Sequence, residues 1–281
     1  MDTVGDVMTK NVVTCTPTQS IMDVRTLMGK HRISRVVAVD ERNGPVGIIT
    51  QKDIVRFLVT DRTKRGLDEI PVREVMSMDL STVNPAASIP SAAKAMVKGR
   101  MSSLIVVGKD DKLEGIVTKA DLSLYLASKG AGIFKVRDCM TPNPLTVRPS
   151  QSLLVATSLM SEHEVSRIVV TDDENRPVGI ITLADLTMLG GLLKARKLPG
   201  RGRPSTAEGD IILPGNIHLI AAQDVMTINP VSIDGDADLA EAARLMTRHA
   251  ISGIPVRNRA GKLTGIVTKS DITRAVASVK E

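Results

Sequence analysis

Residues 12–15, Val12-Val13-Thr14-Cys15, form a short apolar run that Pro17 cuts off, and the run reads as a strand. Beyond it Ile21, Val24, Leu27 and Met28 recur at helical spacing behind Ser20, with Asp23 three residues further on. That pattern predicts a helix with a capped N-terminus. Residues 33–39 and 46–50 are then β-branched and apolar, on either side of Asp40-Glu41-Arg42-Asn43-Gly44-Pro45, whose composition predicts a hairpin turn. A second helix is expected after Thr50. The predicted unit is β-α-β-β-α, an α+β arrangement too small to bury a good core alone, so neighbouring units should pair.

The same unit recurs four times. Val7-Met8-Thr9, Val75-Met76-Ser77, Cys139-Met140-Thr141 and Val225-Met226-Thr227 open the copies. Gly47-Ile48-Ile49-Thr50, Gly115-Ile116-Val117-Thr118, Gly179-Ile180-Ile181-Thr182 and Gly265-Ile266-Val267-Thr268 follow. The offset is 39 residues each time (Met8 to Gly47, Met76 to Gly115, Met140 to Gly179, Met226 to Gly265). Three residues after each Thr stands Asp53, Asp121, Asp185 or Asp271. Helix caps equivalent to Ser20 are Ser88, Ser152 and Asp238, the last with Glu241 placed to complete a capping box. The expected division is repeat one at 1–65, repeat two at 66–130, repeat three at 131–193, a basic Gly/Pro linker at 194–217 and repeat four at 218–281.

Composition narrows the function. Hydrophobic residues are 42% and charged residues 24% of 281, as in a globular protein, and no apolar run reaches membrane-spanning length. The acidic N-terminus predicts no secretion signal, and the two cysteines, in unrelated slots, suggest a reducing cytoplasm. Phe57, Tyr125 and Phe134 are the only aromatics, which argues against a base-stacking surface. The net charge of +6 permits anionic partners without requiring one. The motifs include no nucleophile triad, P-loop or metal cluster, and the carboxylates recur once per unit instead of forming one acid/base pair; an enzyme is not expected.

The Val-Met-Thr opening, the His-x-Ile-Ser turn into an apolar strand and the Gly-Ile-Ile-Thr-x-x-Asp segment resemble the cystathionine-β-synthase (CBS) domain. The resemblance covers nearly the whole chain apart from the stretch near residues 194–217. It implies four CBS domains paired into two Bateman modules in a flat disc, a plan similar to the γ subunits of AMP-activated protein kinase. It also implies adenosyl ligands (AMP, ADP or ATP, no other cofactor being required), held in clefts between paired units, and a regulated protein partner. A homodimer is compatible with that plan.

The resemblance gives Asp53, Asp121, Asp185 and Asp271 the ribose, since a carboxylate can accept from both hydroxyls of a cis-diol. Thr50, Thr118, Thr182 and Thr268 would direct hydroxyls at ribose or phosphate, at helix N-termini that already favour anions. The glycines would allow a close backbone approach. Thr-x-x-Asp is also a capping pattern. The two roles are compatible because the two carboxylate oxygens can serve different donors.

His31, His163 and His249 share one slot, 23 residues after Met8, Met140 and Met226, where the family often faces phosphate; a histidine closing the first helix explains it equally. Arg32 and Arg100 follow that slot in the first pair, but Glu164 and Ala250 do so in the second. Three residues further on, Arg35 and Arg167 stand opposite Ser103 and Gly253. Lys52, Arg56 and Lys119 add cations in the first pair and Lys269 and Arg274 in repeat four, where repeat three has Leu183 and Ala184. The first pair is therefore the better equipped for phosphate. The second suits an uncharged or cationic adenosyl ligand such as S-adenosylmethionine, or no ligand at all. Arg201-Gly202-Arg203-Pro204 in the linker resembles the core of an AT-hook, which makes a DNA-associated regulator the alternative reading.

Overall fold

The computed structural model describes residues 2–60, 65–186 and 220–279. The linker, with Arg201 and Arg203, lies outside the described residues. Repeat one contains α1 (Val4–Val7), β1 (Thr14–Cys15), α2 (Ile21–His31), β2 (Arg35–Val39), β3 (Pro45–Thr50) and α3 (Gln51–Thr60). Repeat two contains β4 (Thr82–Val83), α4 (Ile89–Lys98), β5 (Ser103–Val107), β6 (Leu113–Thr118) and α5 (Lys119–Lys129). Repeat three opens with α6 (Val136–Cys139) and β7 (Thr141–Pro142), then β8 (Thr146–Val147), α7 (Leu153–Glu162), β9 (Arg167–Thr171) and β10 (Pro177–Thr182). Repeat four has β11 (Thr227–Ile228), β12 (Ile233–Asp234), α8 (Leu239–Arg248), β13 (Gly253–Arg257), β14 (Leu263–Thr268) and α9 (Lys269–Ser278). The expected β-α-β-β-α order is present, with β1, β4, β8 and β12 parallel to β2, β5, β9 and β13, and these antiparallel to β3, β6, β10 and β14.

The hairpins form where the turn chemistry predicted. Asp40 Oδ1 accepts from the N–H groups of Arg42 (2.9 Å) and Gly44 (2.7 Å), and Asn43 takes φ 63°. The first helix of each copy ends in one motif. Arg32, Arg100, Glu164 and Ala250 all sit in the left-handed region, at φ 51–53°. The N–H of the next residue returns to the carbonyl of Met28, Met96, Met160 or Met246 at 3.0 Å, a Schellman closure. That closure explains why β2 begins at Arg35 and not at Ile33: Ile33 is spent on closing α2.

Two further expectations are corrected. The opening strand is Thr14–Cys15 and not residues 12–15, because Val12 turns back to Lys10 O. Glu241 completes no capping box. Asp238 caps α8 through Ala240 N at 2.7 Å and also accepts from Gly132 N, while Glu241 lines a neighbouring cavity.

Neighbouring copies exchange their openings. β11, from the start of repeat four, is the edge strand on β10 of repeat three, and β7, from the start of repeat three, is the edge strand on β14 of repeat four. In the first pair the same exchange is made by single bridges, Thr9 to Ile116 and Ser77 to Ile48. The glycine of each Gly-Ile-x-Thr segment therefore meets its partner's opening methionine. A Cβ at Gly47, Gly115, Gly179 or Gly265 would lie 2.2–2.6 Å from the sulfur of Met76, Met8, Met226 or Met140. The close approach at these glycines is mainly that of a side chain, with a backbone atom, Thr9 O at 3.0 Å, added only at Gly115.

By internal contacts the chain divides into two compact units, Met1–Gly130 with Lys269–Glu281, and Ala131–Thr268. In the first unit one core packs Ile21, Val24 and Met28 of α2 under Val36, Ala38 and Ile49, with Ile70 and Val72 completing it from the next copy. A second joins Val37 to Ile105 and Ile116 across the two sheets. The second unit repeats this plan, with Leu153, Ala156 and Met160 under Ile168, Val170 and Ile181, and Val169 against Leu263 and Ile266. Each fully buried aliphatic side chain contributes about 1.5–3 kcal/mol, and much of that burial is available only to paired copies.

Candidate functional site

The strand-to-helix corners of repeats one to three are built alike, because a strand ending in Thr leaves the first N–H groups of the following helix without partners. In repeat one Asp53 Oδ2 accepts from Thr50 N at 2.9 Å and Thr50 Oγ1 at 2.6 Å, and Asp53 N donates to Thr50 Oγ1 at 3.3 Å. In repeat two Asp121 Oδ2 accepts from Thr118 N and Oγ1, both at 2.7 Å, and Thr118 Oγ1 also takes Ala120 N at 3.1 Å. In repeat three Asp185 Oδ2 accepts from Thr182 N at 2.8 Å and Oγ1 at 2.7 Å. The capping role is thus present in these three copies, and it occupies one carboxylate oxygen. Oδ1 of Asp53, Asp121 and Asp185 accepts no hydrogen bond from the described residues. In repeat four Asp271 is 2% exposed and is paired with Arg274.

Across each hairpin the residue facing the corner threonine alternates. Arg35 is in register with Thr50 and Arg167 with Thr182, whereas Ser103 faces Thr118 and Gly253 faces Thr268. Gly253 makes room for Arg167. A Cβ on Gly253 would lie 2.1 Å from Arg167 Nη1, and Arg167 Nη2 donates to Ser252 Oγ at 3.0 Å. In the first unit Lys119 Nζ reaches Ser270 Oγ at 3.0 Å, because α9 packs on α4 and α5. Burial, then the repulsion of Arg274, Lys52 and Arg35, holds the Lys119 ammonium below its usual pKa, with Asp271 opposing.

The remaining expected residues are placed differently. His31 ends α2, and His163 and His249 cap the ends of α7 and α8; all three are exposed. Arg32 and Arg100 are exposed on the left-handed residues of the helix closures. The structure therefore brings Lys52 and Lys119 together with Arg35 and Arg274, residues whose importance the motif alone understates; the one sequence signal for Arg35 is its alternation with small residues. Two cavities, of about 440 and 430 Å3, lie beside Asp234, Asp236 and Arg259 of repeat four, the second also lined by Arg137 and Met140 of repeat three, and neither includes a corner Thr or Asp. Among the described residues no helix is long and apolar enough to cross a membrane, and no group of three or more His, Cys, Asp or Glu is placed to hold a metal ion.

Three capped corners, each retaining one carboxylate oxygen outside its cap, and a fourth with an acid–arginine pair, joined two by two through exchanged openings, define a tandem-repeat scaffold. The chain belongs to the CBS domain family, which matches at residues 4–60, 72–128, 136–189 and 222–278. It is 29% identical over 290 residues to the uncharacterized protein MJ1404 of Methanocaldococcus jannaschii, covering 99% of this chain but 62% of that relative's length. It is 25% identical over 284 residues to MJ1225 of the same organism, with 95% of this chain and 96% of that one covered. The crystal structure of MJ1225, described as a proposed archaeal homolog of g-AMPK, superposes with a TM-score of 0.76 over 97% of this chain and 99% of that chain at 22% identity, which establishes the shared fold. An enzyme also matches: homoserine O-acetyltransferase of Methanococcoides burtonii, 35% identical over 125 residues, 44% of this chain and 25% of the enzyme.

Proposed function

We propose that this chain is a regulatory sensor of adenine nucleotides (AMP, ADP or ATP) that acts through a protein partner. The observation that carries the reading is the division of labour within the corner carboxylates. One oxygen of Asp53 and of Asp121 holds the helix cap, and the other is left to accept from a ribose diol. Lysines for the phosphates start at the same corners, on α3 and α5. Family membership supports the reading, and so does the partial match to an acetyltransferase, in which the shared segment is a quarter of the enzyme. Control of a partner requires different affinities for two shapes, and paired copies around clefts supply a means.

The corners of repeat three differ. Glu164 follows the histidine slot and Leu183-Ala184 replace the lysines, so an uncharged or cationic adenosyl ligand such as S-adenosylmethionine suits the second pair better than a phosphate. The test is calorimetric titration of the intact chain with adenosine, AMP, ADP, ATP and S-adenosylmethionine, alongside Asp53→Asn and Asp121→Asn. The amide keeps an acceptor for the cap, so melting should move little, while nucleoside affinity falls at least tenfold. Equal affinity in wild type and both variants, or no adenosyl ligand bound at all, would sink the sensor reading.

A further inference from the structure

The hairpin of repeat four carries cations that neither its turn nor the corner sites employ. Asn258 builds the turn, its Oδ1 accepting from Ala260 N and Lys262 N, both at 3.0 Å, as Asp40 and Asp172 do in repeats one and three. Arg257 stands in the slot of Val39, Val107 and Thr171, and Arg259 in that of Glu41, Lys109 and Asp173, so the turn does not require them. Both are exposed, and neither guanidinium has an ion pair or side-chain hydrogen bond among the described residues. Acids are close at hand but engaged. The hairpin of repeat three is laced to this one, Leu263 N donating to Asn175 O at 2.8 Å, yet its Asp172 and Glu174 are held by Arg176, and its Asp173 lies 3.9 Å from Arg148. The loop before α8 reads Asp234-Gly235-Asp236 where the other copies have Thr16-Pro17-Thr18, Asn84-Pro85-Ala86 and Arg148-Pro149-Ser150. Asp236 is taken by Arg137, and Asp234 Oδ1 accepts from Asp236 N at 2.8 Å. Glu241, exposed in the first turn of α8, has no cation paired with it among the described residues. The two cavities described above share Asp234, Asp236 and Arg259 and so form neighbouring halves of one groove, with Glu241 lining one half and Arg257 the other.

We infer that this groove is a docking surface for an extended polypeptide segment in which acidic and basic side chains stand close together. Arg257 and Arg259 offer planar forks, each able to take a carboxylate in two parallel hydrogen bonds. Glu241 and Oδ2 of Asp234 take a cation in the other half. The mixture of signs selects the class of occupant. A nucleic acid presents phosphates alone, and Asp234, Asp236, Glu241 and the acidic hairpin of repeat three would repel it. Single exposed ion pairs are weak, so recognition needs several at once, on a chain long enough to cross both halves. That the segment belongs to the regulated protein rests on the sensor reading above; that the groove takes such a segment does not.

The test presents the intact chain, without nucleotide, to a phage-displayed library of short random peptides. Enriched peptides are then synthesised and titrated against the wild type, the double variant Arg257→Val with Arg259→Glu, and Glu241→Ser. Each replacement is a residue that another copy carries in the same slot (Val39, Glu41 and Ser91), so melting should not move. Sequences with Asp or Glu near Lys or Arg should be enriched, and each variant should weaken them at least about fivefold at low salt while leaving adenosine within about twofold. Enrichment of uniformly acidic or uncharged peptides, or equal affinity in the wild type and both variants, overturns the assignment. So does duplex DNA that binds the wild type and is lost in the arginine variant. Should no peptide be enriched while adenosine binds, the docking surface falls and the sensor reading stands. Should the peptides behave as expected while no adenosyl ligand binds, the surface stands and the sensor reading falls.

Discussion

Replacing Gly47 by alanine tests the exchange of openings directly. The added methyl carbon would lie 2.3 Å from Met76 Sδ, 2.9 Å from its Cγ and 3.1 Å from its Cε, well inside the separation of about 3.5–4.0 Å at which such atoms attract. Met76 packs against the core of repeat one, so its side chain moves only by disturbing that core. Overpacking of this kind costs about 1–3 kcal/mol. Alanine is otherwise preferred over glycine within a strand by about 0.5–1 kcal/mol, so the net loss should be about 0.5–2 kcal/mol. Met76→Ala alone, at a half-buried site, should cost about 1–2 kcal/mol, the low end of methionine truncations. In that second background the obstruction is gone, and Gly47→Ala should be neutral or stabilising by up to about 1 kcal/mol. The sign change, a coupling of about 1–3 kcal/mol, is read from urea midpoints followed by far-UV circular dichroism at unchanged m-value. A Gly47→Ala penalty of the same size with and without Met76 would refute the packing account.

Other consequences are open to measurement. Ala250 holds φ 53° at the end of α8, a conformation costing a side-chain-bearing residue about 1–2 kcal/mol, so Ala250→Gly should stabilise the protein by about 0.5–1 kcal/mol after glycine's greater chain entropy is subtracted, and an unchanged denaturation midpoint would count against it. Lys119 has a folded-state pKa below the ordinary 10.5, with Arg274, Lys52, Arg35 and Asp271 as its charged neighbours. Between the folded and unfolded values the unfolded chain binds more protons, so stability of the ligand-free protein should rise with pH across that window, and Lys119→Met should remove the rise. Burial pushes the Cys15 thiol up to about 11, so iodoacetamide at about pH 8 should leave it unlabelled in the native protein and label it in urea; ready native labelling at Cys15 would contradict its place in the core.

Much of this molecule was legible because its signals are local. Ser20 and Asp23 form the capping box that their spacing predicts, and the hairpin at residues 40–45 folds around Asp40 as its composition suggests. The pairing of neighbours follows from the size of one copy. Which segments are exchanged did not, because the register between Thr9 and Ile116, or between Ile228 and Gly179, joins residues far apart in sequence with no periodicity of their own. At the candidate site Thr-x-x-Asp reads as a cap, a ligand clamp or both, and the cap is present in repeats one to three. The histidine slot was ambiguous by sequence, and its exposed helix-end position follows from the closure after Met28, Met160 and Met246. Arg35 is half-buried with its Nη1 buried, and only its alternation with small residues marks it in the sequence.

The reciprocal lending of edge segments has a consequence for how this chain can be cut. An isolated copy would keep a glycine notch with nothing seated in it and carry a methionine plug with nowhere to go. Two such fragments would satisfy each other only by meeting as separate molecules, in a concentration-dependent dimer. The smallest set of openings that satisfies itself is therefore a couple, but a cut between the couples still parts α9 of repeat four from α4 and α5, on which it packs.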